Sequence, residues 1–91
     1  GGLKLADPAA DLAICMAIAS ASAGRKLDES IVVFGEVGLG GEVRSVIGAD
    51  RRVAEAKKLG FTKAIAPKYG AKTTFIKGVT DLRTALIDYL Q

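Results

Sequence analysis

From Leu12 to Ala23 nearly every position is apolar. Ala10, Leu12, Ala13, Ile14, Met16, Ala17, Ile18, Ala19 and Ala21 leave almost no polar face on a helix. A helix of that kind is expected to be buried on most sides, and its alanines permit close backbone approach. Asp7-Pro8 predicts the start, since aspartate accepts hydrogen bonds from unpaired backbone N–H groups and proline is pre-set for the first helical position. Gly24 predicts the stop. After a polar loop from Arg25 to Ser30, the unbroken apolar run Ile31-Val32-Val33-Phe34 reads as an interior strand, expected at the centre of its sheet.

The pattern then changes period. Gly38, Gly40 and Gly41 predict a hairpin turn, and Glu42 to Val46 alternates polar with apolar as a half-exposed strand does. Asp50 to Leu59 predicts a short helix with Val53, Ala54 and Ala56 inward, closed by Gly60 and with Phe61 tucking the chain back. Ala64-Ile65-Ala66, ending at Pro67, predicts a short buried strand, and the strand-helix-strand order predicts a parallel crossover. A loop over 68–72, a strand over Thr73–Lys77 and a last helix capped by Thr80 complete the reading, with Leu82, Ala85, Leu86, Tyr89 and Leu90 on one helical face. Gly1 to Leu5 reads as the tail of a strand belonging to a longer chain. No internal repeat or low-complexity segment interrupts this α/β order.

Composition narrows the possibilities. Ninety-one residues make one small domain, expected to span residues 1–91, that buries roughly 60 to 65% of its unfolded surface. Only five residues are aromatic, so the core must come from Ala, Val, Ile and Leu. The apolar run beginning at Leu12 is too short to span a bilayer. Asp7 and Asp11 stand where a secretory signal would need positive charge, so a cytosolic location is expected. Cys15 is the single cysteine and histidine is absent, which excludes zinc sites and histidine-based triads within these residues.

Charge is unevenly distributed. Between Arg44 and Lys77 lie nine cations, Arg44, Arg51, Arg52, Lys57, Lys58, Lys63, Lys68, Lys72 and Lys77, against Asp50 and Glu55 alone. That segment is a solvated face or a surface for phosphate. Phe61, Tyr69 and Phe75 are its only aromatics, so stacking on bases is not indicated, and contact would be to the backbone and independent of sequence. Gly38-Leu39-Gly40-Gly41 lacks the Lys-Ser or Lys-Thr of a phosphate loop and fits a hairpin better. Ser20, Ser22, Ser30 and Ser45 would need a base nearby to act as nucleophiles. Cys15 reads as a core residue, and Glu36 and Asp11 read as capping or ion-pairing groups.

The run from Phe34 to Arg44 resembles the strand-turn-strand that precedes the catalytic lysine in Lon-type Ser-Lys proteases. It is most similar to the form in the RadA (Sms) family of bacterial DNA-repair ATPases. Further pieces carry the resemblance: Gly1 to Leu5, Pro8 to Ile14, Arg52 to Phe61, and Pro67. In Lon-type proteases the serine follows an Asp-Gly-Pro run; matching proline to proline places Ala9 at the nucleophile position, and counting through the hairpin without a gap places Asp50 at the lysine position. Neither residue can do the chemistry, since a methyl group cannot attack and a carboxylate cannot replace a desolvated amine.

The resemblance implies a Lon proteolytic-domain-like two-layer sandwich, a mixed sheet with three helices, without peptidase activity. It would be part of a longer, cytoplasmic, DNA-dependent ATPase that drives branch migration. ATP, magnesium and zinc would be held by upstream domains, with none in this one. The partners implied are DNA, through Arg44, Arg51, Arg52, Lys57, Lys58 and Lys63, and further copies in a hexameric ring. A Ser-Lys peptidase with displaced catalytic groups and a protein-docking module without a DNA role remain alternatives.

Overall fold

The computed structural model describes residues 7–68 and 73–90. The strand expected over Gly1–Leu5, most of the loop expected over 68–72, Tyr69 and Lys72 lie outside them. Asp7 starts the first element as expected: its Oδ1 accepts from the Ala9 N–H at 3.0 Å, and a 3₁₀ turn over Pro8–Ala10 leads into α1, Asp11–Ala23. Gly24 closes α1 in the left-handed conformation, donating its N–H to the Ser20 carbonyl. Then follow β1 (Ile31–Val33), β2 (Glu36–Val37), β3 (Val43–Arg44), α2 (Ala49–Lys58), β4 (Lys63–Pro67), β5 (Ile76–Val79) and α3 (Leu82–Tyr89).

Strand directions are mixed and divided between two sheets. β1, β4 and β5 pair in parallel in that order, while β2 and β3 form an antiparallel hairpin with Glu36 opposite Arg44 and Val37 opposite Val43. Among the described residues β4, and not β1, is therefore the central strand. Burial agrees: Ala64, Ile65, Ala66 and Pro67 are all buried, whereas β1 is half-buried throughout. The hairpin continues from β1 by a sharp change of course at Gly35. Its N–H donates to the Ala9 carbonyl, and its own carbonyl accepts from the Leu12 N–H. A Cβ there would stand 3.2 Å from Val43 Cγ1 at a φ of 153°, so only glycine fits without displacement.

The two faces of β4 separate two cores. Ala64 and Ala66 pack with Phe34, Phe75, Val53 and Ala56, which places α2 on one side. Ile65 packs with Leu12, Met16, Val79 and Ala85, which places α1 and α3 on the other. Helices thus cover both faces, giving three layers where two were expected. The reason lies in the period-2 alternation of a strand, which here carries apolar side chains at both phases.

Several local expectations change. α1 was expected to be enclosed, yet only Leu12 and Met16 are buried along it, and Ile14 and Ile18 are 55% and 65% exposed. One side of the helix meets the sheet and the opposite apolar side does not. In α2, Val53 and Ala56 point inward but Ala54 is exposed, being about 100° around the helix from Val53. The helix ends as predicted, with Gly60 N–H donating to Lys57 and Phe61 N–H to Ala56 in a Schellman arrangement that returns Phe61 to the core. The strand expected over Thr73–Lys77 begins instead at Ile76, because Thr73 Oγ1 and its carbonyl accept from the Phe75 and Ile76 N–H groups and fold that stretch into a turn. Gly78 pairs with Ala66 within β5, and the position requires glycine because a Cβ there would lie 2.7 Å from the Lys68 Cα. Asp81, not Thr80, caps α3 through its Oδ1 and the Thr84 N–H at 2.8 Å. The predicted inward face of α3 is observed: Ala85 is buried and Leu82, Leu86 and Tyr89 pack beside it.

Asp11 joins the layers. From the first turn of α1 its Oδ2 accepts the Val37 N–H at 3.1 Å and so holds β2 against the helix. Asp11→Ala is expected to cost about 1–2 kcal/mol, read as a lower urea midpoint with an unchanged slope.

Acid should weaken the fold by a separate route. The Thr84 N–H holds the Asp81 carboxyl below its ordinary 3.8. The Ser30 N–H and hydroxyl lower Asp28, and the Arg44 guanidinium lowers Glu42. A carboxylate lowered on folding stabilises the fold fully above its unfolded pKa and loses that contribution as pH falls through the folded value. Urea midpoints are expected to drop below about pH 4. Asp81→Asn, which caps without titrating, should make the drop shallower.

Candidate functional site

The start of α1, the hairpin and α2 converge on a cleft of about 430 Å³ whose lining includes Asp7, Ala9, Glu36, Ser45, Ile47 and Arg52. Each arrives for a local reason. Asp7 and Ala9 belong to the capped turn before α1, Glu36 is the first residue of β2, Ser45 and Ile47 follow β3, and Arg52 stands one turn into α2. Arg52 Nη2 lies 3.5 Å from Asp7 Oδ2, so one carboxylate both caps the first turn and holds α2 across the cleft.

Ala9 is buried and presents only its methyl group. Asp50 is exposed in the first turn of α2 and is not among the residues lining the cleft. Among the described residues the cation that lines the cleft is Arg52, and a guanidinium cannot serve as a base. Ser45 is the hydroxyl on the wall, with Glu36 and Asp7 as the carboxylates. The sequence singles out Ser45 and Glu36 without a shared location; only the hairpin brings them to the mouth of α1. Among the described residues no group of three or more His, Cys, Asp or Glu side chains converges, and no helix is long and apolar enough to cross a membrane.

The six residues expected to meet DNA do not share one surface role. Arg44 is exposed and bonded to Glu42, with Nη2 at 2.6 Å and Nε at 3.1 Å from Oε2, and this pairing raises the arginine further above its ordinary value. Glu42 Oε1 also accepts from the Gly40 N–H, which stiffens the hairpin tip. Lys57 Nζ sits 5.3 Å from the centre of the Phe75 ring. Lys63 is half-buried at the start of β4. Arg51 and Lys58 are exposed and lie two helical turns apart on one face of α2. Lys57 and Lys58 also occupy the last turn of α2, where cations offset the partial negative charge of the helix end.

The family model described as subunit ChlI of Mg-chelatase matches residues 2–70. The chain belongs to that family. It is similar to the DNA repair protein RadA of Rickettsia conorii, 46% identical over 84 residues that make 91% of this chain and 19% of the relative. The Aquifex aeolicus protein of the same name is 48% identical over 68 residues, 75% of this chain and 15% of the relative. That of Mycolicibacterium smegmatis is 51% identical over 67 residues, 74% and 14%. The match to RadA read from the sequence is thereby established, and the chain spans about a fifth or less of the length of these curated relatives.

Ala9 is the residue that the resemblance to Lon-type proteases matches to their serine. Ala9→Ser is expected to leave the fold intact and the chain inert toward casein and toward fluorophosphonate labelling, because among the described residues Arg52, and not an amine, lines the cleft with Ala9. Fluorophosphonate labelling of the variant at its introduced hydroxyl would refute it.

Proposed function

We propose that this chain is a non-proteolytic Lon-like part of a RadA-type DNA-repair ATPase, serving as an oligomerisation scaffold and as a sequence-independent platform for DNA during branch migration. The observation that carries the reading is the 46% to 51% identity to proteins named DNA repair protein RadA, over 74% to 91% of this chain. Identity at that level favours repair over the chelatase role in the family description. In this reading ATP hydrolysis, with its magnesium, and the structural zinc belong to other parts of the parent protein, and the parent assembles as a hexameric ring in the bacterial cytoplasm.

The physical support for DNA contact is narrower than the count of cations. Arg44, Arg52 and Lys57 are engaged within the fold, so recruiting them to phosphate would cost existing interactions. Arg51 and Lys58 are exposed on α2 and can pair with phosphates at little cost. They form the centre of the proposed surface; Lys63, half-buried at the start of β4, and the paired Arg44 and Arg52 are its secondary members. Pairings of this kind are to backbone oxygens and weaken steeply with salt.

The test is a salt titration of DNA affinity in the full-length parent. Replacing Arg51 and Lys58 together by alanine is expected to weaken binding equally on unrelated sequences and to reduce the slope of log K against log salt by about 2, one for each phosphate no longer neutralised. An unchanged slope would remove DNA from the reading and leave a protein-docking module.

A further inference from the structure

Three cations of the basic segment are held inside the fold, and they are not held alike. Glu42 takes Arg44 through both Nη2 and Nε and also accepts the Gly40 N–H, so freeing Arg44 would loosen the hairpin tip. Lys57 lies over the Phe75 ring. Arg52 is held more weakly: its Nη2 stands 3.5 Å from Asp7 Oδ2, at the outer limit of a hydrogen bond, and the two side chains are 38% and 57% exposed. An exposed pair of that length contributes at most about 1 kcal/mol.

The two oxygens of Asp7 have separate duties. Oδ1 accepts the Ala9 N–H and caps the turn before α1, while Oδ2 faces Arg52. The guanidinium can therefore leave without undoing the cap. Arg52 is next in sequence to exposed Arg51, and the two line one hollow of about 280 Å³ beside Ile47, Gly48 and Glu55, so a phosphate paired with Arg51 lies on a side that Arg52 already borders. A guanidinium binds phosphate with the same fork of N–H donors that it offers to a carboxylate, and the two anions compete for it. We propose that Asp7 is an intramolecular competitor of phosphate, holding Arg52 off DNA and so restraining the affinity of the α2 surface. This rests on the DNA reading above and adds its control: the start of α1 sets how many cations α2 can offer.

The same salt titration in the full-length parent tests it. Asp7→Asn keeps the cap and removes the charge. It is expected to tighten DNA binding severalfold and to steepen log K against log salt by about 1, for the phosphate that Arg52 gains. Asp7→Ser, a second uncharged cap, should do the same, with unchanged circular dichroism spectra for both variants. In an Arg52→Ala background neither substitution should steepen the slope. No gain from either Asp7 variant, or a gain as large when residue 52 is alanine, overturns the proposal. The paired alanine variant of Arg51 and Lys58 separates the two readings: where it still lowers the slope, DNA contact stands and only the competition by Asp7 falls, and where it does not, both are overturned.

Discussion

Everything in this fold is arranged about β4, a strand of five residues with four of them buried. Its side chains serve two cores at once: alanines at 64 and 66 give α2 room to approach one face, and Ile65 fills the space beneath α1 and α3 on the other. In a chain this small each core is short of apolar area, so a strand that contributes to both couples them. A bulkier residue at Ala64 or Ala66 would push α2 away and overpack a site with no room to relax.

The start of α1 is the second organising point. The Asp7 carboxylate caps the first turn and reaches Arg52, Ala9 accepts the Gly35 N–H through its carbonyl, and Asp11 holds Val37. Three elements distant in sequence thus meet through one turn. The turn ties the hairpin and α2 to the start of α1. Two of the polar residues that line the cleft, Asp7 and Arg52, pair with one another across it.

Partnering also decides how the basic segment should be viewed. A count of cations along the chain suggests one continuous electropositive strip. Folding assigns Arg44 to Glu42, Arg52 to Asp7 and Lys57 to the Phe75 ring, and among the described residues the other exposed cations of the segment are split between α2, with Arg51 and Lys58, and the sheet side, with Lys68 and Lys77. Because exposed ion pairs are individually weak, these internal partners tune the surface more than they stabilise the fold.

Features governed by neighbours in sequence were legible without the structure. Asp7-Pro8 and Gly24 bound α1, the glycines after Val37 make the hairpin, Gly60 closes α2, and the motifs from Pro8 to Phe61 carry the family. Each rests on hydrogen bonds or dihedral preferences within a few residues. Strand order could not be read in this way, because Ile31 to Phe34 and Ala64 to Pro67 are both short apolar runs and only pairing with two neighbours makes the second central. The start of β5 was hidden by Thr73 to Phe75, whose strand preference yields to a side-chain turn, and by Gly78, a weak strand residue required by the close passage of Lys68. The pairing of Arg52 with Asp7 and the exposure of Ile14 and Ile18 were likewise decided in three dimensions. Periodicity shows which residues are apolar, and only the packing of layers determines which apolar face is covered.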